Sequence, residues 1–253
     1  MKVNRILENR KFSSKGDLYK NFEKKIVDAL YLERKIMMMK FGKREQYQSR
    51  IQLIVFLVSC LEYFLEEVFK KSLENGLISI DKLKKEKNLS FVKANIKDLD
   101  EITKNKIKIS EILAEEMNFQ NIKDIILLGD SLNIVKYYKK INEKRKKEKL
   151  PELKKELSTL RKKLSPKIEK EMTKFILRDF GIRATLPNNE EKLARMIYLI
   201  KRMIFLRHKI VHKAHTQKID EWESLAYTLA TVQLAFFINE CYKIELNNLK
   251  KKK

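Results

Sequence analysis

The stretch IQLIVFLVSCLEYFL, residues Ile51 to Leu65, is the most apolar run in this chain of 253 residues. It is shorter than the roughly 20 apolar residues that a membrane-spanning helix needs. Three polar residues, Gln52, Ser59 and Glu62, also interrupt it. Such a run is typical of a helix buried in the core of a globular protein. We therefore expect a fold that is built around this helix and has no membrane span.

One helix is predicted on each side of Gly42. Over about 17–41, apolar residues repeat at helical spacing, at Leu18, Phe22, Ile26, Ala29 and Leu30. A second, longer helix is predicted over about 44–75. Gly76 is its expected stop, because glycine readily adopts the left-handed conformation that ends many helices. The two helices should form an antiparallel hairpin.

The composition favours an all-α fold. The chain has only 5 Gly and 3 Pro, whereas turn-rich β architectures need more of both. We expect one domain over residues 1–253, with core helices within about 17–76 and 188–247. Residues 77–187 then form a helical, basic insertion, with helical patterns over about 100–117 and 122–128 and a break at Gly129-Asp130.

The cysteines and the N-terminal residues indicate the compartment. Cys60 and Cys241 lie in apolar runs and share no metal-ligand spacing, so both are expected to be buried free thiols. The N-terminal sequence MKVNRILENRKF is charged throughout and has no apolar signal core. A cytoplasmic protein is predicted.

The chain is strongly basic, with 57 Lys and Arg against 34 Asp and Glu, a net charge of +23. This surplus attracts polyanions, and nucleic acid is the first candidate partner. From Lys136 to Lys170 there are fifteen basic and five acidic residues, a net of +10. Tyr137 and Tyr138 in this region could stack on bases. The alternative is a charged helical hairpin that only faces solvent.

Two strongly apolar helices are predicted at the C-terminal end. The first begins near Asn188, a helix-capping residue followed by acidic residues, and should run to about His212. The second begins after Asp220, with Glu223 three residues later in a capping-box arrangement. The junction between them is irregular, and function is common at irregular junctions on a rigid scaffold.

All three histidines of the chain lie at this junction, at His208, His212 and His215. The spacing allows a metal site on one helical face. However, no Cys, Asp or Glu lies among them, and the neighbours Arg202 and Lys209 would oppose a dication. A second interpretation is that they are surface histidines at a helix C-terminus.

The third interpretation is acid–base chemistry on a phosphodiester. Such chemistry needs a group that titrates near neutrality, which histidine supplies, and a fixed cation, for which arginine is best suited. Arg207 and His212 are five residues apart, so on a regular helix they diverge by more than a third of a turn. They converge on one ligand only if the helix end unwinds or a second subunit contributes.

The sequence RHKIVH, from Arg207 to His212, resembles the R-x4-6-H motif of the HEPN superfamily (higher eukaryotes and prokaryotes nucleotide-binding). In that family a polar residue follows the Arg and apolar residues precede the His, as His208 and Ile210-Val211 do here. The resemblance implies a small all-α bundle with the motif near the junction of its last two long helices. It also implies dimers whose motifs share one cleft, and metal-independent RNA cleavage in toxin–antitoxin or anti-phage systems. Some members carry a regulatory Tyr two residues after the motif His, whereas this chain has Ala214 there.

On this basis the sequence predicts a homodimeric HEPN-like endoribonuclease that uses no metal or cofactor. His212 would be the general base or acid, Arg207 would clamp the phosphate, and His208 would orient them or bind phosphate. The expected contacts to the RNA backbone are Arg202, Lys213 and His215. An antitoxin or a defence-complex partner is possible in such systems. The alternative is a non-catalytic HEPN-like subunit that binds RNA or protein.

Overall fold

The computed structural model describes residues 6, 17–39, 42–81, 83, 101–147, 188–213 and 219–252. These residues form α-helices joined by turns and short irregular segments, and no β-strand lies among them. The predicted all-α class is confirmed to that extent. No helix in the described ranges has both the length and the apolar character to cross a bilayer.

The two N-terminal helices form the predicted hairpin, with α1 at Leu18–Met38 and α2 at Lys43–Glu74. The carboxylate of Asp17 caps α1 by accepting from the backbone N–H groups of Tyr19 and Lys20, at 3.0 and 3.2 Å. After α2, Gly76 takes a left-handed φ of 71°, as expected for the residue that stops this helix.

Helix α2 is the centre of the core, as its apolar sequence predicts. Its buried residues include Leu57, Phe64 and Leu65, each with no exposed surface. It packs against α1 and against the two C-terminal helices, α6 at Asn188–Lys213 and α7 at Glu221–Lys252. The start of α7 shows one half of the expected capping box, because the backbone N–H of Asp220 donates to Glu223 at 3.1 Å.

Between these pairs, the described residues include three shorter helices: α3 at Ile109–Glu116, α4 at Ile122–Ser131 and α5 at Ile134–Lys147. The sequence suggested one helix over about 100–117, but Lys106 has a left-handed φ of 50° and separates residues 101–104 from α3.

The expected break at Gly129 and Asp130 is wrong, because α4 continues through both residues. The chain turns at Asn133 instead, with a φ of 54°, a conformation that asparagine tolerates. Gly129 serves close packing, since a Cβ there would lie 3.1 Å from Cγ2 of the buried Ile134.

Tyr137 and Tyr138 anchor α5 to α7. Both are buried, with 9% and 6% of their surface exposed. The ring of Tyr138 stacks on Phe237 with centroids 4.5 Å apart, and the hydroxyl of Tyr137 accepts from the side-chain amide of Asn248 at 3.2 Å. The expectation that these tyrosines stack on bases is therefore wrong. The opposite face of α5 does carry exposed lysines, at Lys136, Lys139 and Lys140.

We expect the two thiols to be nearly inert in the folded protein. Cys241 is fully buried and Cys60 is half-buried. Burial raises the pKa of Cys60 to about 11 and that of Cys241 to about 12. Because the thiolate is the nucleophile, Cys60 should react with a disulfide reagent at pH 8 at least about tenfold more slowly than free cysteine. If both cysteines reacted at the rate of free cysteine without denaturant, this result would contradict the packing of α2 and α7.

Candidate active site at the end of helix α6

His208 and His212 form a pair on the exposed surface of α6. They are four residues apart on a regular helix, which places both side chains on one face. Their ring centroids are 4.6 Å apart with an angle of 47° between the planes, and both side chains are exposed. Two imidazoles at this distance can act on the same bound group.

The same face of α6 carries an exposed aromatic residue. Phe205 has 55% of its surface exposed, and Nζ of Lys209 lies 4.5 Å from the centre of its ring. We call Phe205, His208, Lys209 and His212 the histidine face. It combines an aromatic surface, a cation and two groups able to transfer protons, which are the components that an RNA strand can contact.

Arg207 lies on a different side of the helix. It is half-buried, and its Nη1 donates to Oε1 of Gln120, in the turn that precedes α4. Nε2 of Gln120 in turn donates to a carboxylate oxygen of Glu62 in α2, at 2.8 Å. Nε of Arg207 is buried and has no hydrogen-bond partner. The motif arginine is thus held by the region between residues 77 and 187.

A single copy of the chain does not bring Arg207 and His212 together. At 100° per residue, five residues separate the two side chains by about 140° around the helix axis. Helix α6 stays regular through Lys213, so no unwinding before that residue brings them closer. Arg207 and His212 could reach one ligand either through an unwound helix end or through a second subunit. With α6 regular through Lys213, the second subunit is the remaining route.

Arg202, a candidate RNA contact, is engaged inside the protein. Its Nε donates to the hydroxyl of Tyr227 at 2.8 Å, and its Nη2 lies 3.1 Å from a carboxylate oxygen of Glu223. Burial raises the pKa of Tyr227, so this hydroxyl stays protonated. These contacts tie α6 to α7 and favour a structural role for Arg202. Its contact with RNA stays a prediction.

Two further candidates lie wholly or partly beyond what the structure describes. Lys213 is the last residue of α6, but its side chain lies outside the described part of the chain. His215 lies wholly outside the described residues, as does Ala214. Within the described ranges, no three His, Cys, Asp or Glu side chains are grouped so that they could hold a metal ion.

Comparison of this chain with known protein families, curated proteins and solved structures gave no match. The resemblance to HEPN proteins therefore depends on residues 207–212 and on their place before the last long helix. Sequence reasoning did not identify Gln120 and Glu62 as neighbours of the motif. They are 87 and 145 residues away from Arg207 along the chain, and no local pattern marks them.

Proposed function

We propose that this protein is a metal-independent endoribonuclease of toxin or anti-phage defence type, which acts as a HEPN-like homodimer. The observation that carries the proposal is the exposed pair of His208 and His212 at the end of α6, with the guanidinium of Arg207 held on the adjoining side. This arrangement supplies proton-transfer groups and a fixed cation at one end of one helix.

The reaction would be attack by an RNA 2′-hydroxyl on the adjacent phosphate. A base removes the 2′-proton, the new P–O bond forms, and the bond from phosphorus to the 5′-oxygen breaks. An acid then protonates the departing 5′-oxygen, which leaves a 2′,3′-cyclic phosphate and a 5′-hydroxyl. His212 takes one of these roles, and His212 of a second copy takes the other. His208 orients this group or binds phosphate.

Arg207 would stabilise the negative charge that develops on the phosphate oxygens, since its planar guanidinium pairs well with them. One copy presents Arg207 and the histidine face on different sides of α6. A second copy packed at this end supplies the missing group to a shared cleft. Val211, with 50% of its surface exposed, lies between Arg207 and the histidine face around the helix axis, so a second copy packed there would cover it.

Expression in bacteria tests the proposal directly. Induced wild-type protein should arrest growth, whereas His212→Ala and Arg207→Ala should be tolerated at equal protein levels. Lys250→Ala provides the control, because Lys250 is exposed near the C-terminal end of α7, and the junction with α6 lies at the other end of that helix. This control should be as toxic as the wild type. Equal growth with wild type and with both motif variants would contradict an active nuclease.

The second candidate is a non-catalytic subunit that binds RNA or a defence-complex partner. It is favoured by the exposed lysines of α5, Lys136, Lys139 and Lys140, together with the net charge of +23. Such a protein would bind RNA with an affinity that falls steeply as salt rises. It would show no difference in toxicity between the wild type and His212→Ala.

A further inference from the structure

Gln120 connects the motif arginine to the core helix. It lies between Phe119, which is buried against the ring of Phe69, and Asn121, whose side chain caps α4. Its own backbone N–H donates to the side-chain oxygen of Asn118 at 3.1 Å. The backbone is therefore held by contacts on both sides of Gln120, which fixes the position from which its side chain extends.

The amide group of Gln120 has only one favourable orientation in this site. A carboxylate can only accept hydrogen bonds, and a guanidinium can only donate them. Nε2 must therefore face Glu62 and Oε1 must face Arg207, which is the arrangement observed. Glu62 selects the orientation of the amide, and the amide selects the position of the guanidinium.

The absence of charge on the Gln120 side chain is as important for Arg207 as the orientation of its amide. A carboxylate in direct contact with Arg207 would form an ion pair and compete with a phosphate for the same guanidinium. The amide instead holds Nη1 while the positive charge stays available. A neutral support of this kind leaves the charge of Arg207 available for a phosphodiester.

We infer that Gln120 is a positioning residue for Arg207, and that the region between residues 77 and 187 acts on the reaction through this contact. The inference rests on the proposed nuclease function. It gives a role to a part of the chain for which the sequence predicted only a basic helical insertion.

Kinetics of RNA cleavage test the inference with two substitutions. Gln120→Leu removes both side-chain hydrogen bonds and should lower kcat by about 10- to 100-fold, because a misplaced group costs this much in a preorganised site. Gln120→Glu places a carboxylate against Arg207 and should also raise KM for RNA. Gln52→Glu makes the same charge change at an exposed site of α2 and should leave both constants unchanged.

NMR of the labelled guanidinium provides a readout that does not depend on activity. In the wild type, rotation of the Arg207 guanidinium about its Nε–Cζ bond should be slow, and in Gln120→Leu it should become fast. Glu62→Gln keeps an acceptor for Nε2 of Gln120 and should preserve the slow rotation, whereas Glu62→Leu should not. Melting temperatures of all variants show whether each one is folded.

The possible outcomes separate this inference from the function on which it rests. A fall in kcat together with faster rotation supports the positioning role. If the wild type cleaves RNA and folded Gln120 variants match it, the inference is overturned and the nuclease stands. A rise in kcat also overturns it, because the contact would then restrain Arg207. If the wild type does not cleave RNA, both fail together.

Discussion

His212→Ala should lower kcat for RNA cleavage by about 10²- to 10⁴-fold, the usual contribution of a general acid or base. Arg207→Ala should cost about 10²- to 10³-fold, as expected for a group that stabilises transition-state charge. The double variant should lose little more than the less active of the two single variants, because both residues act on one transition state in the proposed mechanism. Single-turnover cleavage of a labelled RNA measures all three.

The location of His212 allows a loss of activity to be separated from a loss of folding. Its side chain is exposed, so the alanine variant should unfold at the same temperature as the wild type. Lys250→Ala, at an exposed position near the C-terminal end of α7, is the control for handling and charge. If folded His212→Ala keeps its rate within about threefold of the wild type, a difference too small for a lost general acid or base, His212 is not the catalytic group.

The second large effect concerns stability, at a buried ion pair between α1 and α2. Arg50 in α2 and Glu33 in α1 have 9% and 4% of their surface exposed, and Nε of Arg50 lies 3.6 Å from Oε1 of Glu33. Nη1 of Arg50 also donates to the backbone carbonyl of Ile219 at 3.1 Å. This arginine thus ties the hairpin to the segment that enters α7.

Arg50→Met should lower the free energy of unfolding by about 3–5 kcal/mol, because it removes the positive charge that Arg50 places beside the buried carboxylate of Glu33. The double variant Arg50→Met with Glu33→Met should regain most of that loss, since an apolar pair of similar volume removes the buried carboxylate as well. Urea unfolding of the two single variants and the double variant completes a thermodynamic cycle. Simple additivity of the two single effects would show that the pair is not coupled.

The helices that build the core could be predicted from the sequence because they depend on local patterns. Apolar spacing predicted α1 and α2, and Gly76 marked the end of α2 through a backbone conformation that glycine adopts easily. The same helical period predicted that Arg207 and His212 diverge, and the regular end of α6 agrees.

The long-range contacts could not be predicted in this way. Tyr137 and Tyr138 look like exposed aromatic residues in a basic stretch, but packing against α7 decides their burial. Gly129 resembles a helix break until the close approach of Ile134 is seen. The hydrogen bond from Arg207 to Gln120 joins residues 87 positions apart, and only the folded chain brings them together.

The central claim is that this chain cleaves RNA without a metal, and analysis of the products in EDTA tests it most directly. Purified wild-type protein is incubated with a labelled RNA in EDTA, beside His212→Ala purified in the same way to control for contaminating nuclease. We expect cleavage by the wild type alone, with 2′,3′-cyclic phosphate and 5′-hydroxyl ends. Loss of cleavage in EDTA, products with 5′-phosphate ends, or equal cleavage by both proteins would contradict the account.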